Sequence, residues 1–137
     1  MKMMQNIYLP QKAKIVKIEQ ESADVKLFRF KGEFAKNKNG LIFNPGQFIL
    51  AGIWGYGEAP FGPLSPPFET SFMEILVRNT GGNVTTGLHH LEKGAEISFR
   101  GPYGNGFPLD FFEKKDLVLV TGGCGIPPIA GLIEYIL

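Results

Sequence analysis

Three stretches of this 137-residue chain carry residue types and spacings that could do chemistry. In Gly82-Asn83-Val84-Thr85 a glycine loop turns into a helix, so unpaired backbone N–H groups and the helix dipole point outward. A pyrophosphate suits such a place, and Thr85 or Thr86 can add a hydroxyl donor. The same residues also read as an ordinary helix start, with Asn83 or Thr85 as the cap. Gly122-Gly123-Cys124-Gly125 leads into Ile126-Pro127-Pro128. Its glycines let a backbone approach nucleotide phosphates closely, although this is not the dinucleotide fingerprint of three spaced glycines. Cys124 reads either as a small residue at a tight turn or as a thiol whose pKa a helix N-terminus lowers. Gly57-Glu58-Ala59-Pro60-Phe61-Gly62-Pro63 joins a carboxylate and an aromatic ring to a turn-rich backbone. His89 and His90 share a short helix with no cluster of partners, which argues against a metal site.

These stretches need elements to hold them. Ala13–Gln20, with Val16 and Ile18 on one face, and the runs Val25–Phe30 and Gln47–Gly52 read as short strands. Ser71–Val77 sets Phe72, Glu74 and Leu76 against Met73, Ile75 and Val77, and Glu96–Arg100 turns Ile97 and Phe99 inward. Short strands separated by turn residues predict an antiparallel barrel or sandwich. A helix is predicted over Thr85–Lys93, with Gly94 as its stop. After Pro108 the pattern changes. Asp116–Thr121 is continuously apolar after its first residue, as in a strand buried on both faces. The prolines can open a helix there, and Ile129, Leu132, Ile133 and Ile136 recur at helical spacing. Strand, glycine loop and helix are the first piece of a nucleotide-binding α/β fold.

Composition narrows the partners. A net charge of +1 gives no basic footprint, so nucleic acid and anionic membrane are poor candidates. Lys12, Lys14 and Lys17 are followed at once by Glu19 and Glu21, as on a solvated strand edge. One cysteine excludes an internal disulfide and any zinc or iron–sulfur site built from cysteines of this chain alone. Met1–Leu9 has no apolar stretch long enough for a signal peptide, and no run reaches membrane-spanning length. The expected address is the cytoplasm.

Pro45-Gly46-Gln47-Phe48, Gly57–Pro60, Gly81-Gly82-Asn83-Val84-Thr85, Gly101–Phe107 and Gly122–Pro128 occur in one order. That order resembles the ferredoxin–NADP reductase superfamily, and within it the flavin subunits of cytoplasmic sulfhydrogenases, anaerobic sulfite reductases and related transhydrogenases. The resemblance covers nearly the whole chain. It implies a mainly β fold: a six-stranded antiparallel Greek-key barrel over residues 1–110, binding FAD, with one short helix. Residues 111–137 would begin an incomplete NAD(P)-binding domain. It places Glu58, Ala59, Pro60, Phe61 and Gly62 at the flavin ring, Gly82, Asn83, Val84 and Thr85 at its pyrophosphate, and Gly122, Gly123 and Gly125 at NAD(P)H. Most relatives carry an arginine and a serine near position 58–62. Here both are absent, and Gly62 stands where the serine would fall. Phe61 can still stack on a flavin face, or serve only as a core aromatic. Arg78 can supply the missing phosphate cation, or be a surface arginine.

The implied function is electron transfer between NAD(P)H and iron–sulfur partner subunits through bound FAD, with no acid–base residue essential. The cofactor carries the chemistry and the protein orients it. The rival is a non-catalytic flavin-binding or docking module. A strand–helix–strand unit needs roughly 30 residues or more, more than lie between Leu117 and Leu137. The expectation is therefore a piece of a longer protein, or a domain completed by a separate chain, with the apolar helix stripe left facing water.

Overall fold

A computed structural model describes residues 6–36 and 41–137. Met1–Gln5, part of the stretch read for a leader, lie outside the described residues. Six antiparallel strands form one sheet: β1 (Gln11–Gln20), β2 (Val25–Gly32), β3 (Phe48–Ile53), β4 (Gly57–Phe61), β5 (Met73–Arg78) and β6 (Glu96–Tyr103). Their order is β4-β3-β6-β1-β2-β5. The sheet curls so that the chain after β4 reaches β5: Pro63 bridges Ile75, and Leu64 N–H donates to Glu74 O at 2.8 Å. That single bridge replaces a ladder, so the barrel is not closed. The mainly β, six-stranded antiparallel architecture is as expected.

Alternation builds the core. Met73, Ile75 and Val77 of β5, Phe28 and Phe30 of β2, and Ile97 and Phe99 of β6 are all buried on the inner face. Phe30, Phe34 and Phe99 form an aromatic cluster, with Phe34 edge-on to Phe99 at 5.4 Å between centroids. On β1 the inward pair is Ala13 and Ile15, not Val16 and Ile18. A bulge between Ile15 and Lys17 shifts the register against β2. A bulge adds one residue to one strand, which switches the inward phase.

The sequence reading passed over β4 because Gly-Glu-Ala-Pro has the composition of a turn. An edge strand tolerates proline, and Pro60 pairs across from Leu50. Helix α1 spans Asn83–His89 rather than Thr85–Lys93. Its stop comes early because Gly94 N–H donates to Ile15 O of β1 at 2.7 Å. Lys26 Nζ caps the helix end by donating to His89 O at 2.8 Å, and His89 Nε2 donates to Val77 O at 2.8 Å, tying α1 to β5. Beyond β6, a short α2 (Leu109–Phe112) precedes a 3-10 turn at Gly123–Gly125 and α3 (Ile126–Ile136).

Two expectations for this last region are corrected. Residues 116–121 form no strand; Val118 and Val120 are 89% and 86% exposed, because no neighbouring strand offers a ladder among the described residues. The helix stripe does not wholly face water. Leu132 is buried, with Ile129 partly covered, while Ile133 and Ile136 are exposed. Helix α3 lies back on the segment after β4, with Gly131 near the carbonyls of Pro63 and Ser65.

Candidate functional site

Strand β4 links the stretches that the sequence singled out. At its start, Val84 of α1 stands 3.7 Å from where a side-chain carbon on Gly57 would lie. At its end, a side-chain carbon on Gly62 would lie 3.2 Å from Pro128 Cδ. The missing side chain at position 62 is thus matched by the seating of α3. The expected residues Glu58, Ala59, Pro60, Phe61 and Gly62 run along one edge strand between the two helix starts.

The opening of α1 is held by side chains around it. Asn79 Oδ1 accepts from Gly81 N–H and from Thr86 Oγ1, both at 3.1 Å. Thr85 Oγ1 accepts from Thr80 N–H at 3.3 Å and lies 3.2 Å from Thr80 Oγ1. Gly82, in extended conformation, is the cap residue, and no side chain caps the helix. Asn83 is therefore the first helical residue, and neither Asn83 nor Thr85 is the N-cap. The first-turn amides keep no intrahelical acceptor, and no acidic side chain sits in that turn. Gly82 and Asn83 are exposed, with Val84 and Thr85 half-covered. In a helix of seven residues the free amides matter more than a summed dipole.

Phe61 is half-buried and packs against the hydrophobic core. Glu58 is not free: Arg100 Nε donates to both of its carboxylate oxygens at 3.0 Å, and Arg100 Nη2 also bonds Oε1. That guanidinium holds the Glu58 carboxyl below its ordinary range. Arg100 Nη1 donates to Tyr103 Oη at 3.3 Å, and Tyr103 Oη donates to Ile7 O at 2.6 Å. The sequence reading missed Arg100 and Tyr103. Glu58 and Arg100 lie 42 positions apart and meet only across β3.

Arg78 does not lie at the opening of α1. Its Nε donates to Asp24 Oδ2 at 2.7 Å, which lowers the Asp24 pKa. The pair borders an apolar cleft of about 530 Å³ between β2, β5 and the 3-10 turn, walled by Leu27, Leu64, Leu76 and Ile126. Gly123 and the exposed Cys124 share that cleft. Gly122 and Gly125 are exposed as well. The structure thus joins Arg78 to the second glycine loop rather than to the first.

Comparison with known proteins decides what such a curled sheet is. The family model for the oxidoreductase FAD-binding domain matches residues 12–107. The chain belongs to this family. It is 38% identical over 130 residues to sulfhydrogenase 1 subunit gamma of Pyrococcus furiosus, covering 95% of this chain and 44% of that protein. A probable dihydroorotate dehydrogenase B (NAD(+)) electron transfer subunit of Thermococcus kodakarensis is 38% identical over 119 residues, covering 85% of this chain and 44% of its own. The chain spans less than half the length of these curated relatives. A cytochrome P450 reductase of Amycolatopsis shares the fold with a TM-score of 0.79 at 22% identity, over 93% of this chain and 38% of that one. The likeness to flavin subunits of sulfhydrogenases and to ferredoxin-reductase-like folds is as the motifs implied.

The residues present fit the group that the family name prescribes. A diphosphate needs donors without competing carboxylates, and the opening of α1 offers free amides beside two threonine hydroxyls. An apolar ring system needs apolar surface, which β4 and the neighbouring cleft provide. Among the described residues no group of His, Cys, Asp and Glu is arranged to hold a metal ion, and no helix is long and apolar enough to cross a membrane.

Proposed function

We propose that residues 1–110 hold FAD along β4, and that the protein passes electrons between NAD(P)H and iron–sulfur partner subunits in the cytoplasm. The observation that carries the reading is the placement of β4 between two glycine-bearing helix starts. The opening of α1 suits the diphosphate, with Gly82, Asn83 and Val84 giving amides and Thr85 a hydroxyl. Ala59, Pro60, Phe61 and Gly62 face the ring, and Glu58 is a positioning residue held by Arg100. Arg78 stands where a cation beside the cleft can meet an anionic edge of the cofactor or of the nucleotide. Residues 111–137, with Gly122, Gly123 and Gly125, begin the NAD(P)H-binding part, which a further segment or a separate chain completes.

Bound FAD would accept a hydride and release its electrons singly; the side chains bind, orient and exclude water. The names of the relatives support the partner side of the reading: one is a subunit of a sulfhydrogenase, the other an electron transfer subunit.

The test is direct. Heat should release FAD from the purified protein, identified by chromatography, and NADH or NADPH should bleach the bound flavin under anaerobic conditions. FMN alone, or no flavin from folded protein, defeats the cofactor assignment. A yellow protein indifferent to both nucleotides would instead be a non-catalytic flavin or docking module.

A further inference from the structure

Helix α1 carries a glycine in its interior, Gly87, where alanine would be more stable by about 1 kcal/mol. The reason is the turn between β3 and β4. A side-chain carbon on Gly87 would lie 2.8 Å from Tyr56 Cδ1 and 3.0 Å from Ile53 Cδ1. Residue 87 has no side chain so that the Tyr56 ring can rest on the helix. Yet Tyr56 is still 55% exposed, and Trp54, two residues earlier in the same turn, is 67% exposed. A ring seated with such care and left half in water is poorly explained by core packing alone.

Its surroundings name the occupant. Tyr56 immediately precedes the β4 start, whose Gly57 meets Val84 in the first turn of α1. The other exposed aromatic rings belong elsewhere: Tyr8 leans toward Tyr103, Phe111 toward Phe112 and Lys115, and Phe68 lies in the β4–β5 connection. FAD differs from FMN by an adenosine monophosphate, and adenine is a flat ring that binds by stacking. We propose that the Tyr56 ring, flanked by Trp54, is the surface on which the FAD adenine lies. The β3–β4 turn then selects the dinucleotide over FMN. This rests on the assignment of FAD to β4 and the opening of α1.

Calorimetric titration of the flavin-stripped protein with FAD and with FMN separates the possibilities. Aromatic–base stacking is lost in Tyr56→Ala, so FAD should bind about tenfold more weakly or worse while FMN binding stays within about twofold. Tyr56→Phe keeps the ring and should bind FAD as the parent does. Gly87→Ala pushes the ring off its seat and should weaken FAD selectively, with circular dichroism confirming the fold. Equal losses for FAD and FMN in Tyr56→Ala, or no loss for either, would overturn the role of Tyr56 and leave the flavin site standing. A parent protein that binds neither flavin would overturn both.

Discussion

Two glycine loops in this molecule lead into helices, and they are built differently. The loop before α1 is tied on every side: Asn79 and Thr80 fix its backbone, Lys26 caps the far end of the helix, and His89 anchors it to β5. The loop before α3 is exposed, has no side-chain cap, and follows an extended segment without a ladder partner among the described residues. Only Leu132 and the prolines seat α3 on the rest of the chain. The lesson is that similar glycine patterns do not imply similar preorganisation. The first loop is fixed by the sheet that surrounds it, whereas the second takes its order from a single helix face.

The sharpest way to break the comparison is to remove one buried side chain from each region. Phe99→Ala empties the centre of the aromatic cluster and should cost about 3–5 kcal/mol, unfolding the whole sheet. Leu132→Ala removes a side chain that is just as buried, at a nominal cost of about 2–5 kcal/mol. Its effect should be local, because few other contacts couple α3 to the sheet. Limited proteolysis within residues 116–122 should accelerate, while the main thermal transition barely moves. If Leu132→Ala lowers that transition as much as Phe99→Ala, α3 belongs to the same cooperative unit as the sheet.

A second comparison sets the two polar contributions against each other. Thr85→Ala with Arg78→Ala removes a hydroxyl at the first loop and a cation beside the second. Hydrogen bonds to a charged phosphate are worth roughly 1.5–3 kcal/mol each, so flavin affinity should fall by about one to two orders of magnitude. The single variants divide the loss. Because Arg78 lies at the cleft and not at the opening of α1, most of the FAD effect should follow Thr85. Unchanged affinity in the double variant would remove both residues from the site.

How much of this was legible beforehand follows the range of the interactions. Alternation along β5 and β6 gave Met73, Ile75, Val77, Ile97 and Phe99 as inward residues, because period-two patterning is local. The β1 phase was misread because a one-residue bulge leaves no mark in composition. The strand β4 was hidden by its proline, which only an edge position excuses. The end of α1 depends on a bond from Gly94 to β1, nearly eighty positions away in the chain. The glycine at position 87 was legible as an anomaly in a helix, but its cause, the Tyr56 ring, lies on another element.

The smallest expected effect tests the ion pair that spans the sheet. Arg100 forms a bidentate contact with Glu58 and so lowers the carboxyl pKa from its ordinary 4.5. A carboxylate with a depressed pKa in the folded state binds protons more readily when unfolded. Its contribution to stability is therefore fully present above about pH 4.5 and fades as the pH falls through the lower folded value. Asp24, lowered by Arg78, acts in the same direction at the other edge of the sheet. Both pairs are substantially exposed, so screening by salt keeps each contribution modest. Glu58→Gln keeps the side-chain shape, removes the titration, and should flatten the acid limb of thermal stability while leaving the neutral plateau little changed. Added salt should shrink the difference between variant and parent, since a solvent-accessible pair is screened. An acid limb unaltered by Glu58→Gln would mean that Arg100 finds compensating partners, and that Glu58 does not hold β4 to β6.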